Sequence, residues 1–559
     1  MFNVNDRPSP LIEYDCEATA VKIDPVSGYF INISDIRWRE YPQLEGKCTA
    51  IRDFTSGLLT STPGITYLDH SGTTLYAQSL IDACSSDLKT NLFGNPHSGA
   101  ASSQLTSCRV EDIRRRVLQF FNGSANEWDV VFVANATAAI KLVGEAFRDQ
   151  PSGFDLGYHE ECHNSVVGLR QVAQHSQVVK DTQTFDDWLR SRIRFSHLRR
   201  RPERPKLIAL PGQSNLSGVR DNALLTAVCQ KVKHEQSRGR SVYSLLDAAA
   251  LASTAPVDLA KSCYRHDYIS LSFYKIFGLP DLGALLVKKG PAADILLAKR
   301  YFAGGTVDLV IPGSDPYHIR HSNVHEALEE GTIPFHNILV LGHALDVHTR
   351  IYGSMQNITR HVRCITNSAR EQMLALRHKT GAPVVRVYWS SEPESQGPVI
   401  AFSVLDAAGH HFRASDVELS AIDAKIHLRK GGMCNPGGVA KYLDITAKQM
   451  RDFYARGIKC SDDSRAPPGF YGAVGIIRVS FGAMSSTEDV EALTKWLRET
   501  FVNREADSLS YEDGREDTTS STAFDGEGER KSEKETVTKL EVGPGPRPRA
   551  LRRILSCFR

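Results

Sequence analysis

The sequence predicts an α/β fold: a domain built on a mainly parallel sheet, followed by a smaller α+β domain. Three observations carry this expectation. Between residues 64 and 310 short apolar runs alternate with helix-patterned stretches, the rhythm of strand–helix–strand units. The runs span four to seven residues and are apolar almost throughout, as strands buried on both faces are. From about residue 340 the rhythm changes to strands with helices packed on them.

Residues 1–45 are mixed in character, and the globular pattern starts at GITYLD (64–69). The strand-like runs are VVFV (130–133), KLIAL (206–210), SVYSLLD (241–247), YISLSF (268–273) and GALLV (283–287). ATAAIKLVGEAFRD (136–149) and DNALLTAVCQKVKHEQ (221–236) between them read as helices. The second region has one long helical stretch (337–375), VVRVYW (384–389), PVIAFSVLD (398–406), a helix pattern at 415–424, GIIRVSFG (475–482) and a last helix at 488–501. The expected division is an N-terminal segment (1–60), a large domain (61–335), a small C-terminal domain (336–502) and a tail (503–559). The tail is charge-rich, apolar-poor and then Arg- and Pro-rich, so it is expected to be disordered.

Composition excludes whole classes. Hydrophobic residues are 41% and charged residues 24%, which rules out a membrane protein, a collagen-like fibre and a wholly disordered chain. Lys and Arg number 67 against 65 Asp and Glu; a net charge of +2 argues against a general polyanion binder. The basic run at 190–206 has one aromatic and no nucleic-acid module around it, so it reads as an exposed loop. The 11 Cys include no C-x-x-C, against a disulfide scaffold or a Cys-rich zinc module, and no metal is expected. No apolar run reaches membrane-spanning length and the N-terminus lacks a secretory pattern, so a cytoplasmic location is expected.

The chemistry starts from Asp247 and Lys275, which close neighbouring apolar strands at the edge where open α/β sheets bind ligands. An acid and a Lys there suit pyridoxal phosphate: the amine can form a Schiff base with its aldehyde, and the carboxylate can keep the pyridine nitrogen protonated. Desolvation would lower the Lys pKa and free the amine. Either residue alone reads as a helix cap or a solvated strand end; the neighbours make the pair persuasive. Ala136 and Thr137 open a helix whose exposed amides and dipole favour a phosphate. Thr137, Ser272 and the Gly304-Gly305-Thr306 turn add donors. His163 could stack on the ring and Asn215 could donate to its oxygen.

The motifs YLDHSGTTLY, FGNPHS, CHNSVVGLR, LLDAAA, LSFYKIFG, FAGGT, EEGTIPF and GGMCNPGG together resemble the aminotransferase-class-V domain of the molybdenum cofactor sulfurases, relatives of the cysteine desulfurases. The likeness covers about residues 60–500. It implies fold type I of the pyridoxal-phosphate enzymes, with a mainly parallel seven-stranded sheet, and a homodimer. It implies that Lys275 holds the cofactor, Asp247 pairs with the pyridine nitrogen, His163 stacks and Asn215 meets the phenolic oxygen. Thr137, Ser272 and Thr306 would bind phosphate, Thr306 across a dimer interface. Arg478 would clamp the carboxylate of L-cysteine, and Cys434 would take its sulfur for a sulfur acceptor, the molybdenum cofactor or a protein. One departure is Ala250, where desulfurases usually have Gln.

Cys434 has its own argument. Sulfur transfer needs a thiolate near the cofactor, and four Gly within 431–438 suggest a mobile carrier arm. The bland alternative is an inert Cys in a tight turn. Cys162, beside His163, is assigned no role. A β-lactamase-like reading of Ser272-x-x-Lys275 with Lys379-Thr380-Gly381 lacks an S-D-N and leaves Asp247 unexplained. A sulfur carrier without cofactor chemistry conflicts with the intact Lys275, Asp247, Arg478 and Cys434. The sulfurases also carry a C-terminal cofactor-binding domain, and the residues after 502 are too few for one, which needs roughly 100. The chain is therefore expected to be an isoform, a fragment or a free-standing relative, the last a cysteine desulfurase or C–S lyase for small-molecule biosynthesis.

Overall fold

The computed structural model describes residues 20–44, 64–190, 204–313, 316–390, 392–459 and 475–506. Residues 1–511 form one compact unit. The second unit, 512–559, lies outside the described residues, as do 191–203, most of the basic run. Of the expected tail, only its first residues are described, and they are tied to the body: Asn503 N donates to His378 Nδ1 at 2.9 Å and its Oδ1 accepts from Lys379 N at 2.7 Å. The N-terminal segment is likewise packed where it is described. Phe30, Ile33 and Ile36 are buried, and Arg37 pairs with Asp489 at 2.6 Å.

The large sheet has seven strands: β1 (Trp128–Val133), β2 (Asp155–His159), β3 (His175–Val179), β4 (Lys206–Pro211), β5 (Val242–Asp247), β6 (Tyr268–Ser272) and β7 (Gly283–Lys288), in the order β1-β7-β6-β5-β4-β2-β3. The five strands from β6 to β3 run parallel; β7 is antiparallel to both its neighbours. Helices connect them: α1 (Ala101–Phe120) precedes β1, α2 (Ala136–Arg148) follows it, α3 (Asn164–Val167) follows β2, α4 (Asn222–Ser237) precedes β5 and the single turn α5 (Tyr274–Phe277) follows β6. The central strands are buried along their whole length, which is why their sequences read as unbroken apolar runs. Two strands escaped the sequence reading: β2 contains Asp, Gly and His, and β3 is a mostly exposed edge strand without an apolar face.

The stretch expected as one helix over 337–375 is two, α6 (Phe335–Tyr352) and α7 (Met355–Ala375). Gly353, at φ +71°, ends the first, and Ser354 caps the second by accepting from Asn357 N. The second sheet is antiparallel throughout, β8 (Val385–Tyr388), β9 (Val399–Val404), β10 (Arg429–Gly431) and β11 (Ile476–Ser480) in the order β8-β9-β11-β10. The helices α8 (Pro436–Tyr442) and α9 (Thr487–Phe501) flank β11 in sequence. Ile365 of α7, Phe402, Val479 and Leu493 of α9 share one buried cluster, so this sheet has its own core. Segment 67–76 ties the two sheets: Ser480 N donates to Leu68 O at 2.7 Å, and Gly278 abuts Leu75. A Cβ at Gly278 would lie 2.4 Å from the Leu75 carbonyl carbon, so the chain needs Gly there, at φ +79°. No helix among the described residues is long and apolar enough to cross a membrane.

Candidate active site

The site lies at the C-terminal ends of β5 and β6. Asp247 ends β5, in register with Ser270 of β6. Its Oδ1 accepts from Ala249 N at 3.1 Å and lies 3.4 Å from Ser270 Oγ, while its Oδ2 has no hydrogen-bond partner among the described residues. Lys275 sits on α5, three residues past β6 and half-buried. Among the described residues its amine makes no hydrogen bond and no ion pair. Burial holds its pKa below the ordinary lysine value; Asp247 opposes this and the charges of Arg478 and Arg429 add to it.

Three of the phosphate-binding residues predicted from sequence, Ala136, Thr137 and Ser272, fall into one corner. Asn135 caps α2 by accepting from Ala138 N, and Ser272 Oγ accepts from Ala136 N, both at 3.0 Å. The Thr137 N–H keeps no partner among the described residues, at a helix start whose dipole favours an anion. The Thr137 hydroxyl meets Ser165 Oγ at 2.8 Å, and that same Oγ meets His163 Nδ1 at 2.9 Å. His163 caps α3 by accepting from Ser165 N at its Nδ1. Burial pushes its pKa down against the pull of Asp247, so its ring is neutral near pH 7. Cys162 beside it is fully buried, its thiol pKa raised by desolvation, which makes it inert.

Cys434 is exposed at the tip of a turn leading into α8. The turn is held by hydrogen bonds. Asn164 N donates to Cys434 O at 2.7 Å, which places the turn one residue from His163. Asn215 Nδ2 donates to Met433 O at 2.7 Å. Asn435 is fully buried and its Nδ2 donates to Glu161 O and to Asn215 Oδ1, both at 3.0 Å. Gly437 serves close packing, since a Cβ there would lie 2.0 Å from Glu160 O, while Gly431 takes φ +95°. Met433 and Cys434 both hold positive φ, +49° and +54°, where non-Gly residues are strained.

One N–H of the Asn215 amide goes to the Cys434 turn, and its Oδ1 accepts from Asn435. The Asn215 backbone O accepts from Arg478 Nη1 at 2.8 Å. Arg478 is 2% exposed, also donates from Nη2 to Asp69 Oδ1, and has a buried, unpartnered Nε. Thr306 is not brought to this corner within one chain: it is fully buried, and its hydroxyl donates to Ala303 O and accepts from Ala303 N in its own turn.

Four residues of the site went unread in the sequence. Asp69 comes from YLDHSGTTLY. Glu161, 3% exposed, accepts from Ser217, Lys441 and Tyr442 and so braces the Cys434 turn. Asn435 is the third. Arg429 lies opposite Arg478 in the β10–β11 register, acts electrostatically on Lys275 and His163, and has no ion pair among the described residues.

Comparison with known proteins gives this geometry a family. The aminotransferase class-V family model matches residues 66–493. The chain belongs to the aminotransferase class-V family. The family's cofactor is pyridoxal phosphate, and the residues here fit it: a partner-free amine at Lys275, a free carboxylate oxygen on Asp247, a neutral His163 and an unpaired Thr137 amide at a helix start. Class-V relatives similar to this chain include molybdenum cofactor sulfurases of Aspergillus oryzae, 41% identical over 88% of this chain and 57% of theirs, and of Neurospora crassa, 41% identical over 85% of this chain and 48% of theirs. The chain spans about half the length of the curated relatives it matches. Among solved structures it shares its fold with the cysteine desulfurase CsdA of Escherichia coli, at 18% identity, TM-score 0.59, 84% of this chain and 98% of that one. A cysteine desulfurase of Thermococcus onnurineus matches at 18% identity and TM-score 0.57, over 78% of this chain and 94% of its own.

Proposed function

We propose that this protein is a pyridoxal-phosphate-dependent L-cysteine desulfurase that collects sulfur on Cys434 and passes it to an acceptor, the molybdenum cofactor. The observation that carries the reading is the position of Asn215. One residue touches both the turn of the exposed thiol, through its side chain, and the buried guanidinium of Arg478, through its carbonyl.

Pyridoxal phosphate, when bound, supplies an electron sink for the substrate's carbon framework. Lys275 would hold it, with Asp247 at the pyridine nitrogen, His163 on the ring, and Thr137, Ala136 and Ser272 around the phosphate. Arg478 would take the substrate carboxylate, for which its planar fork is suited. The Lys275 amine, whose pKa burial lowers, can move a proton on and off the substrate. The thiolate of Cys434 attacks the substrate sulfur: an S–S bond forms as the C–S bond breaks, its electron pair stays on carbon, a proton follows, and alanine leaves. The persulfide stays at an exposed position, open to an acceptor.

The likeness to molybdenum cofactor sulfurases, at 41% identity, supports the molybdenum cofactor as acceptor. A homodimer is part of the reading. Beside Thr306, the antiparallel strands Val307–Ile311 and Tyr317–Arg320 expose Leu309, Val310, Ile311, Tyr317 and Ile319, a surface that a second copy would cover. The protein acts in the cytoplasm, with residues 61–335 as the cofactor domain and 336–502 as the smaller one, and without nucleic-acid or membrane partners.

The test is alanine and sulfur accounting on purified protein given pyridoxal phosphate and L-cysteine. Alanine should form in step with sulfur on protein. Pyruvate and free sulfide, with Cys434→Ala unimpaired, would mean a lyase and overturn the transfer reading.

A further inference from the structure

A second cleft lies away from the Cys434 turn. It is lined by Arg220, by Thr359, Arg363, Thr366 and Asn367 along one side of α7, and by Trp389 beyond β8, with a volume of about 430 Å³ counting its open mouth. Its floor is chemically unbalanced. The Arg220 guanidinium donates from Nε to Gln213 Oε1 at 2.8 Å, but its Nη2 is buried with no hydrogen-bond partner among the described residues. Among the described residues no carboxylate pairs with it. The titratable group acting on it is the Tyr264 phenol, kept neutral by burial, and desolvation brings the guanidinium pKa down to about 10. A half-buried guanidinium with a buried, unpaired Nη2 favours a counter-charge beside it. Tyr264 does not supply one.

The mouth is built for polar contacts. Asn367 is exposed and its amide makes no hydrogen bond among the described residues. Arg363 is half-exposed and pairs with Glu394, itself 85% exposed, at 2.8 Å. Thr359 and Thr366 already donate their hydroxyls to backbone carbonyls, which leaves oxygen lone pairs and no spare donor. Arg220 and Asn367 thus bring a partly unpaired guanidinium and an unpaired amide to the lining, beside the Arg363–Glu394 pair. That set complements an oxyanion.

We propose that this cleft is a binding site for a small oxyanion, a phosphate or a carboxylate, whose charge is met by Arg220. The site is coupled to the Cys434 turn by covalent continuity. Arg220 ends the loop 213–220, and the same loop carries Asn215, bonded to Met433 O, and Ser217, bonded to Glu161 at 2.8 Å. Gly397 N and the Gln396 amide fasten the loop's middle, at Gly218 O and Ser217 O, both at 2.8 Å. An anion on Arg220 would hold one end of the loop whose other end holds the thiol's turn.

The test uses the full chain loaded with pyridoxal phosphate, so that the cofactor's own phosphate corner is filled. Trp389 lines the cleft, so its fluorescence is read during titration with inorganic phosphate, with acetate, and with chloride at matched ionic strength. A saturable change with phosphate, acetate or both, absent with chloride and absent in Trp389→Phe, is the expected result, and the pattern says which oxyanion the site takes. Arg220→Gln should weaken it by about tenfold or more, the loss of a charged hydrogen bond. Asn367→Asp, an exposed change that leaves folding intact, should weaken it comparably by setting a like charge at the mouth. No saturable response in the wild type, or an undiminished one in Asn367→Asp, would overturn the proposal.

Discussion

The two proposed nucleophiles of this molecule are prepared in opposite ways. Lys275 sits on a single helical turn with its amine left without a partner, and burial lowers its pKa. Cys434 is exposed, and its turn is held by Asn164, Asn215 and the buried Asn435. For the lysine, reactivity comes from the medium; for the cysteine, from placement. The difference suits their proposed tasks. A cofactor-holding amine must be partly neutral and dry, while a sulfur carrier must face both a buried site and an acceptor outside.

The largest expected effect falls on the medium side. Lys275→Ala should remove the visible absorbance of the bound cofactor and lower alanine formation by about three orders of magnitude or more. Unchanged turnover would put the amine outside the chemistry. Next comes the carrier. Cys434→Ala should keep the absorbance and lose sulfur transfer by about a hundredfold or more, separating the two regions in one pair of measurements.

The pinning can be probed apart from the thiol. Asn435→Ala removes a buried amide that bonds Glu161 and Asn215, and should cost about 1–3 kcal/mol by denaturant unfolding while lowering transfer more than cofactor binding. Gly437→Ala forces a methyl toward Glu160 O and should cost about 1–3 kcal/mol. If either variant left both stability and transfer unchanged, the turn would be loose after all.

The last effect is global, and it acts through pH rather than through a substitution. His70, His266, His348 and His361 are buried, and desolvation lowers their pKa values to about 3, 3, 4 and 4. In the unfolded chain each takes up a proton near pH 6.5, so between there and pH 3–4 the unfolded state binds more protons. Their stability contribution is complete above about pH 6.5 and is lost as the pH falls, at up to about 1.4 kcal/mol per pH unit for each proton. Melting temperatures measured from pH 7.5 to 4.5 should fall steadily below 6.5; a flat profile would contradict this.

Much of this was legible beforehand, for physical reasons. β4 to β7 announce themselves because strands covered on both faces must be apolar throughout. Asp247 and Lys275 stood out as the polar residues ending such runs. His175–Val179 did not, because an exposed edge strand has no apolar face to show. Nor did Asp69, Glu161, Arg429 and Asn435: each meets partners distant in sequence, and Asn435 bonds a carbonyl 274 positions away. Glycine was read for freedom at 431–438, where the structure uses Gly431 for its φ of +95° and Gly437 for contact.

The account rests on sulfur arriving at Cys434. Intact-mass and peptide mass spectrometry after brief incubation of the cofactor-loaded protein with L-cysteine tests it most directly. The expected result is a gain of one sulfur atom on the peptide holding Cys434, absent in Lys275→Ala and reversed by a thiol reductant. Sulfur on another cysteine, or alanine formed with Cys434 unmodified throughout turnover, would contradict it.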